Sequence, residues 1–422
     1  MNRYHNRKTK PLQPVILLIM TLIFILVASG IDAQQTVEGI HYATGKPVRI
    51  TIQDGKIANI KPIKKLDERY RDVVVAPGFI DNQVNGFAGV SFAFGKSDLT
   101  LEGIEKATRE LWKVGITSYL PTLTTNSQEV LVRNFAVLAN AVDDKKLLGS
   151  IPGFHLEGPY INPEDGFRGA HPKQYVRLPD WEEFMEMYQA SGGKILQVTV
   201  APEMEGAQDF IRKCREKGII VALGHHNADR EQVDLAVKNG ARVSTHLGNG
   251  CANMINRHKN PLWPQLSNDD LMISIICDGF HLLPEQIRVF YKTKGVENTI
   301  ITSDVTSYAA LAPGTYKTET GETIELTKEG KLHYPAQQVL YGSASPLTKG
   351  VGHIMKVTGC SLADAVKMAS ANPARLNGLT DRGELEPGLR ADLVLFRLND
   401  FSVDVVKTYV NGELVFETSR YE

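Results

Sequence analysis

The chain has 422 residues, of which 42% are hydrophobic and 23% charged, and its formal net charge is -1 at pH 7. This is ordinary globular composition, and the chain is long enough for one large domain and a smaller one. A net charge near zero gives no electrostatic case for nucleic-acid binding. The 4 cysteines are scattered without Cys-x-x-Cys spacing, so neither a disulfide framework nor a zinc-thiolate site is expected.

Residues 1–33 have the pattern of a secretory signal. Basic residues precede a short apolar run from Val15 to Ala28, and small residues follow it as far as Ala33. An uncleaved membrane anchor is the alternative, although the run is shorter than the roughly 20 residues of a confident membrane span. We therefore predict an exported protein, periplasmic or membrane-anchored, that touches the membrane only through this segment if it stays uncleaved. If the segment is not used, the protein would be cytoplasmic.

Both ends of the remaining chain alternate apolar and polar residues, as β-strands do. Residues 36–75 contain two alternating runs around Asp54-Gly55, and residues 386–422 contain similar runs around Asn411-Gly412. Asp-Gly and Asn-Gly between such runs are strong hairpin signals. Neither segment is long enough for a core of its own, so we predict that both pair in one small β-sandwich.

Strand and helix patterns alternate through residues 76–385, and the first of these strands begins a few residues before position 76. The predicted strands are Val73–Ile80, Thr117–Leu123, Ser150–His155, Ile195–Val200, Ile219–Leu223, Arg242–Thr245, Met272–Cys277 and Thr299–Ser303. This alternation favours an α/β fold, a (β/α)8 TIM-type barrel, with a doubly wound parallel sheet as the alternative. Polar residues from Tyr308 to Val339 follow the last strand and predict a loop or a small hairpin.

Acidic and histidine side chains follow several of these strands. Glu157 comes where Gly158-Pro159 stops a strand, His225 follows Gly224, and His246 follows the next strand. Because the carboxyl ends of barrel strands meet at one mouth, these side chains should converge. Neutral imidazoles and a carboxylate are the usual ligands of catalytic Zn²⁺. We therefore predict that Glu157, His225 and His246 bind one divalent metal ion.

His226 competes with His225 for the metal site. Adjacent side chains point apart, so only one of the two can face the ion. We prefer His225 because it directly follows the strand and Gly224, and we expect His226 to support the neighbouring loop.

Asp304 ends the eighth predicted strand. An aspartate in that position is compatible with a helix cap or a turn. Beside a metal site it would instead act as the catalytic acid and base, taking a proton from the attacking water and delivering it to the leaving amine. We predict the catalytic role.

Six motifs lie at or near predicted strand ends. They are Ala76-Pro77-Gly78-Phe79-Ile80-Asp81, His155-Leu156-Glu157-Gly158-Pro159, Gly224-His225, Thr245-His246-Leu247, Asp278-Gly279-Phe280-His281 and Ser303-Asp304. Together they resemble the motif series of the amidohydrolase superfamily and, more narrowly, of the N-acetylglucosamine-6-phosphate deacetylase family. The likeness covers nearly everything after residue 36. It implies hydrolysis of N-acetylglucosamine 6-phosphate to glucosamine 6-phosphate and acetate in amino-sugar catabolism, and it implies a homodimer.

The resemblance also implies a single tightly held ion. Gln83 and Asn85 stand where many relatives have His-x-His, and amide side chains are weak ligands for Zn²⁺. Gln83 would then line the site without binding strongly. The ion is expected to be Zn²⁺, with Fe²⁺, Mn²⁺ and Co²⁺ as alternatives that share these ligands.

Substrate-binding roles are implied for five residues. His281 and His171 would contact the sugar or its acetyl group. Asn249 and Gly250 would offer donors to the phosphate end, and Arg257 would clamp the phosphate through bidentate hydrogen bonds. The segment 248–253 departs from the pattern of the family, which indicates a divergent member.

Other functions remain open at this point. An exported enzyme would act on an unphosphorylated N-acyl amino sugar or N-acyl amino acid, because phosphorylated sugars normally occur in the cytoplasm. A D-aminoacylase or cyclic-amide hydrolase would be favoured by a carboxylated lysine or a His-x-His motif, and neither is found in the sequence. A non-catalytic binding protein would contain no metal and hydrolyse no N-acyl compound.

Overall fold

The computed structural model describes Met1 and residues 35–92, 99–318, 321–336 and 339–419. The predicted signal segment lies outside these residues, apart from Met1. Within the described ranges, no helix is both long and apolar enough to cross a bilayer. The structure contains one chain, so the homodimer stays a prediction.

The strands of the described residues fall into a barrel, a terminal sheet and two smaller sheets. They are β1 (Gln35–His41), β2 (Pro47–Gln53), β3 (Lys56–Pro62), β4 (Val74–Pro77), β5 (Phe79–Val84), β6 (Gly86–Phe87), β7 (Val90–Ser91), β8 (Ile116–Thr124), β9 (Phe154–Glu157), β10 (Ile195–Val200), β11 (Ile220–Leu223), β12 (Ala241–Ser244), β13 (Met272–Ile276), β14 (Thr299–Thr302), β15 (Gly314–Lys317), β16 (Thr323–Leu326), β17 (Leu332–Tyr334), β18 (Val339–Leu340), β19 (Leu393–Asn399), β20 (Ser402–Val410) and β21 (Glu413–Glu417).

The helices pack mainly around the barrel. They are α1 (Leu101–Lys113), α2 (Gln128–Val142), α3 (Trp181–Ala190), α4 (Ala207–Glu216), α5 (Arg230–Asn239), α6 (Leu262–Ser267), α7 (Pro284–Lys294), α8 (Leu347–Thr358), α9 (Leu362–Ala369) and α10 (Ala371–Leu376). Helix α1 shows why: it buries Ile104, Ala107 and Leu111, the three- and four-residue spacing of one helical face. Three-residue 3₁₀ helices occur at Glu68–Tyr70, Lys145–Leu147 and Lys173–Tyr175.

The eight-stranded parallel sheet confirms the predicted barrel. Its order is β5, β8, β9, β10, β11, β12, β13 and β14, which follows the chain. Every neighbouring pair is parallel. The first and last strands meet where Val84 forms a parallel bridge with Val305. Asp81 reinforces this closing seam by accepting hydrogen bonds from Thr302 Oγ1 (2.9 Å) and from the backbone N–H of Ser303 (3.1 Å).

The first predicted strand, Val73–Ile80, is two strands in the structure. Strand β4 joins the terminal sheet and β5 begins the barrel, with Gly78 between them. A Cβ on Gly78 would lie 2.2 Å from the Thr117 side chain, so only glycine allows this close passage. The predicted strand Ser150–His155 was placed too early, because β9 begins at Phe154, just past Pro152-Gly153.

The two ends of the chain pair as predicted. Their strands form one continuous seven-stranded sheet in the order β21, β20, β19, β4, β1, β2 and β3. A separate apolar core under this sheet includes Ile50, Ile57 and Leu393, all fully buried. At the predicted hairpins, Asp54-Gly55 and Asn411-Gly412 have positive φ values, which the right-handed twist of the strands favours.

The polar segment after the last barrel strand contains a small antiparallel sheet. Strands β15, β16, β17 and β18 pair in sequence order. Edge-on contacts between aromatic rings connect this sheet to the segment before it, since the ring of Tyr308 packs against those of Tyr316 and Tyr341. The predicted loop or hairpin is therefore larger than expected, and its last strand reaches the barrel mouth.

Candidate active site

Three of the residues that end barrel strands have an unusual backbone. His225, His246 and Asp304 have φ values of 52°, 31° and 52°. A non-glycine residue in this region is disfavoured by about 1–3 kcal/mol and persists only where its surroundings impose it. The left-handed conformation turns the chain sharply at the carboxyl end of the strand, where each side chain enters the mouth of the barrel.

Glu157 lies at the centre of the site. It is the last residue of β9 and only 3% exposed. Its Oε1 is 2.8 Å from His246 Nε2 and 3.3 Å from His225 Nε2. Burial alone would raise the pKa of Glu157, but its side-chain contacts with His225 and His246 outweigh burial and hold this pKa well below its usual range.

His225 is oriented by a backbone carbonyl. Its Nδ1 is 2.9 Å from the oxygen of Phe167, an acceptor, so this nitrogen carries the proton. Nε2 therefore presents a lone pair to the centre of the site, where His246 Nε2 lies 3.2 Å away. A carbonyl that fixes the distal nitrogen is the usual outer support of a metal-binding histidine.

The donor atoms of this cluster suit a metal ion. The ligand atoms of Glu157, His225 and His246 all lie within 4.8 Å of one another. His171 adds a third imidazole, with its Nε2 3.2 Å from His225 Nε2. Facing lone pairs at this separation repel unless a proton or a cation lies between them. Two imidazoles and a carboxylate in a buried, convergent arrangement are the ligand set of a catalytic divalent ion.

The surroundings of His246 favour its protonated form. Burial by itself would lower the pKa of His246, but the hydrogen bond to Glu157 and the charge of that carboxylate outweigh it, so the pKa lies above its usual value. Its Nδ1 is buried and has no hydrogen-bond partner among the described residues.

Asp304 lies beside this cluster and lines the same cavity. Its Oδ1 accepts a hydrogen bond of 2.6 Å from Asn85 Nδ2. Burial, and then the negative charge of Glu157, raise the pKa of Asp304 to about 7. A carboxyl group with such a pKa can both accept and return a proton near neutral pH.

His281 enters the cavity from the loop after β13, held by Asp278. Asp278 Oδ1 accepts from the backbone N–H groups of Phe280 (2.8 Å) and His281 (3.0 Å). Its Oδ2 is 2.8 Å from His281 Nδ1, which therefore donates. The opposite nitrogen, Nε2, accepts a hydrogen bond when the ring is neutral and donates one only when the ring is protonated.

These groups share a cavity of about 410 Å³. Of the predicted site residues, eight line it: Glu157, His171, His225, His246, Asn249, Gly250, His281 and Asp304. Burial and the neighbouring His225 lower the pKa of His171 to about 3, so this ring is neutral, and its Nδ1 is 2.7 Å from Thr125 Oγ1. The side chains that were far apart in sequence are therefore brought together around one space.

Arg257 is the predicted site residue that does not line this cavity. It lies in an exposed loop, and its backbone carbonyl accepts a hydrogen bond from Trp263 Nε1. Asn253, on the same loop, does reach the cavity. Among the described residues that line the cavity, none is a lysine or an arginine.

The two remaining expectations concern His226 and Gln83. His226 is buried, and its Nδ1 accepts a hydrogen bond of 3.1 Å from the backbone N–H of Ala228, so it supports the loop that follows. Gln83 is buried too, but it is not among the residues that line the cavity.

Sequence reasoning missed several residues of the cavity wall. Asn85 was considered only as a weak ligand, and Thr124 and the end of the small sheet, 339–342, were not considered at all. The Asp-Gly-x-His spacing could have revealed the bond from His281 to Asp278. No local pattern could have revealed that Asn85 pairs with Asp304, because the two residues are 219 positions apart in the chain.

Comparisons with known proteins agree with this geometry. The amidohydrolase family model matches residues 74–415. The N-acetylglucosamine-6-phosphate deacetylase of Bos taurus is 34% identical over 358 residues, covering 82% of this chain and 84% of the relative. The enzyme of that name from Bacillus subtilis is 30% identical over 379 residues, covering 87% of this chain and 92% of the relative.

Solved structures give the same result. The N-acetylglucosamine-6-phosphate deacetylase from Thermotoga maritima matches with a TM-score of 0.78 and 27% identity, covering 91% of this chain and 100% of that chain. A mutant of the Mycobacterium smegmatis enzyme in complex with N-acetyl-D-glucosamine-6-phosphate matches with a TM-score of 0.78 and 26% identity, over 90% of this chain and 99% of that chain. The chain therefore belongs to the amidohydrolase family and, within it, to the N-acetylglucosamine-6-phosphate deacetylase family.

Proposed function

We propose that this chain hydrolyses the acetamido group of N-acetylglucosamine 6-phosphate, giving glucosamine 6-phosphate and acetate in amino-sugar catabolism. The observation that carries the proposal is the convergence of Glu157, His225 and His246 with Asp304 at one cavity. The family of the chain supplies the substrate class, since its relatives bear the name of this reaction.

The metal ligands of the proposed enzyme are Glu157, His225 and His246. Their donor atoms suit Zn²⁺, and they suit Fe²⁺, Mn²⁺ or Co²⁺ as well. The absence of Gln83 from the cavity lining supports a single ion. When bound, a divalent ion would supply Lewis acidity to the acyl carbonyl and lower the pKa of adjacent water.

Asp304 acts first as the general base and then as the general acid of the reaction. Asn85 engages its Oδ1, which leaves Oδ2 to take a proton from the attacking water. The same oxygen then returns the proton to the nitrogen of the breaking amide, so that the leaving group departs as a neutral amine. A buried carboxyl group whose pKa lies near 7 is suited to both steps.

His281 would contact an oxygen of the substrate through Nε2, because its Nδ1 is occupied by the hydrogen bond to Asp278. Because Nδ1 donates to Asp278, a neutral His281 offers only an acceptor at Nε2, which suits a sugar hydroxyl. A protonated His281 would instead donate from Nε2 to the acyl oxygen as negative charge develops there. His171 forms another part of the sugar-facing wall.

The phosphate end of the substrate would lie toward Asn249, Gly250 and Asn253. Arg257, on the exposed loop beyond Asn253, would then hold a phosphate that projects out of the cavity.

A second candidate follows from the cavity itself, whose described lining lacks a lysine or arginine. That lining favours an unphosphorylated N-acyl amino sugar or N-acyl amino acid.

The N-terminal segment bears on this choice. We propose that residues 1–33 direct export, with the cytoplasm as the location if they are not used. Export would place the enzyme where phosphorylated sugars are scarce and would support the second candidate.

Metal binding should separate the two adjacent histidines. Replacing His225 with alanine removes a ligand, so it should weaken metal binding by more than the roughly 10- to 100-fold typical of outer-shell changes. The matched His226→Ala protein should keep its metal, because that ring faces Ala228. Elemental analysis of both purified proteins, checked for folding by circular dichroism, measures this. Equal metal contents in the His225→Ala protein and the parent would refute the ligand assignment.

The Asp304→Asn protein should keep its metal and lose turnover. General acid–base catalysis contributes about 10²- to 10⁴-fold, so kcat should fall by at least about 100-fold. In the parent enzyme the carboxylate must be ionised to accept a proton, so kcat/KM should decrease as the pH falls through the pKa of Asp304. The residual rate of the variant should lack this acidic limb. Undiminished turnover would remove Asp304 from the mechanism.

Acetate release from N-acetylglucosamine with and without the 6-phosphate should discriminate the two substrates. The first proposal expects a higher kcat/KM for the phosphorylated sugar and, for the Arg257→Ala protein, a KM raised about tenfold on that sugar only, about 1.4 kcal/mol. Arg71→Ala, at an exposed arginine of the terminal sheet region, is the control. A higher kcat/KM on the unphosphorylated sugar would favour the second candidate.

Residues 1–40 fused to alkaline phosphatase, which becomes active only after export, should give phosphatase activity. An Ile23→Arg change places a charge in the apolar run and should abolish it. Equal activity from both fusions, or none from the unchanged segment, would contradict export.

A further inference from the structure

We infer that Asn85 is a positioning residue for Asp304: its amide holds one carboxylate oxygen and leaves the other to exchange the proton. This rests on the proposed function, in which Asp304 is the acid and base.

The contact between the two side chains is short and shielded. Asn85 Nδ2 lies 2.6 Å from Asp304 Oδ1, and Asn85 is only 7% exposed. Hydrogen bonds to an ionised oxygen are shorter and stronger than neutral ones. In a buried site such a bond restricts the rotation of the carboxylate, because little water is present to compete for it.

The orientation of the amide follows from its partners. If the amide were flipped, its oxygen would face the carboxylate and the two acceptors would repel. The nitrogen therefore faces Asp304. The remaining atom, Asn85 Oδ1, is buried with no hydrogen-bond partner among the described residues, on a side chain that lines the cavity. This leaves an acceptor in the wall where the attacking water or the substrate N–H would lie.

The backbone of Asn85 is itself fixed. Its N–H donates to the carbonyl of Val305 (2.8 Å), and its own carbonyl accepts from Phe92 N–H (2.9 Å). Val84 and Val305 form the parallel bridge of the closing seam. Asn85 and Asp304 thus sit on the two sides of this seam, so the position of the carboxylate depends on the strand that it faces.

The kinetic test replaces the amide donor of Asn85 with a carboxyl group of nearly the same shape. Asn85→Asp places two carboxylates at hydrogen-bond distance, and such a pair shares one proton. We expect kcat to fall by at least about tenfold with KM within about threefold and full metal content. Asn82→Asp makes the same change three residues earlier, within β5, but the Asn82 side chain contacts Asn377, so this variant should leave kcat unchanged.

The outcomes of this test are distinct. A kcat within about twofold of the parent would overturn the inference, as would a loss of metal that accounts for the loss of rate. If the Asn85→Asp protein does not fold, Asn85→Ser, which keeps a smaller donor, should give the same separation of kcat from KM. An Asn85→Asp, Asp304→Asn double variant exchanges the two groups across the seam. It should regain the thermal stability lost by the Asn85→Asp single variant but not turnover, and regained turnover would also overturn the inference.

A second measurement does not depend on catalysis. In metal-free protein, Asn85→Ala should lower the unfolding midpoint in the parent but much less in an Asp304→Ala background, because the partner is already gone. Equal shifts in both backgrounds would show that the two residues are uncoupled and would overturn the inference. If the parent released no acetate from any substrate, the proposed function would fail, while this cycle would still decide whether the pair is coupled.

Discussion

The convergence of buried polar side chains at the barrel mouth is the constraint on which the site depends. Glu157 Oε1 lies within hydrogen-bond distance of two imidazole nitrogens, and all three groups are almost inaccessible to water. Burying such groups is unfavourable unless they are paired or bind a cation. His225 and His246 also hold disfavoured backbone conformations. The apolar core around the barrel stabilises the fold strongly enough to keep this arrangement in place.

The closing seam of the barrel links the fold to proton transfer. The first and last strands meet through the Val84–Val305 bridge and the bonds to Asp81. Asp304 follows the last strand and receives its hydrogen bond from Asn85, which follows the first. Because the strands close into a ring, the first and last strands of the barrel lie side by side. Asn85, which follows the first strand, can therefore orient Asp304, which follows the last.

Much of the fold could be predicted from local patterns, because barrel strands, capped helices and tight hairpins each leave a signal over a few residues. The eight parallel strands and the hairpin at Asp54-Gly55 are confirmed. The split at Gly78 was not visible, because it depends on the Thr117 side chain of a neighbouring strand. The small sheet between Gly314 and Leu340 was underestimated, since its strands are only two to four residues long and too short to show a clear alternation of apolar and polar residues.

For the site, the sequence was sufficient to nominate Glu157, His225, His246 and Asp304, since chemistry-bearing residues directly after parallel strands must meet at one mouth. It could not decide which atoms face each other. The tertiary structure placed Arg257 outside the cavity, and it paired Asn85 with Asp304 across 219 positions of the chain. Such contacts arise only when strands distant in sequence become neighbours, because hydrogen bonding between side chains depends on distance in space and leaves no local pattern.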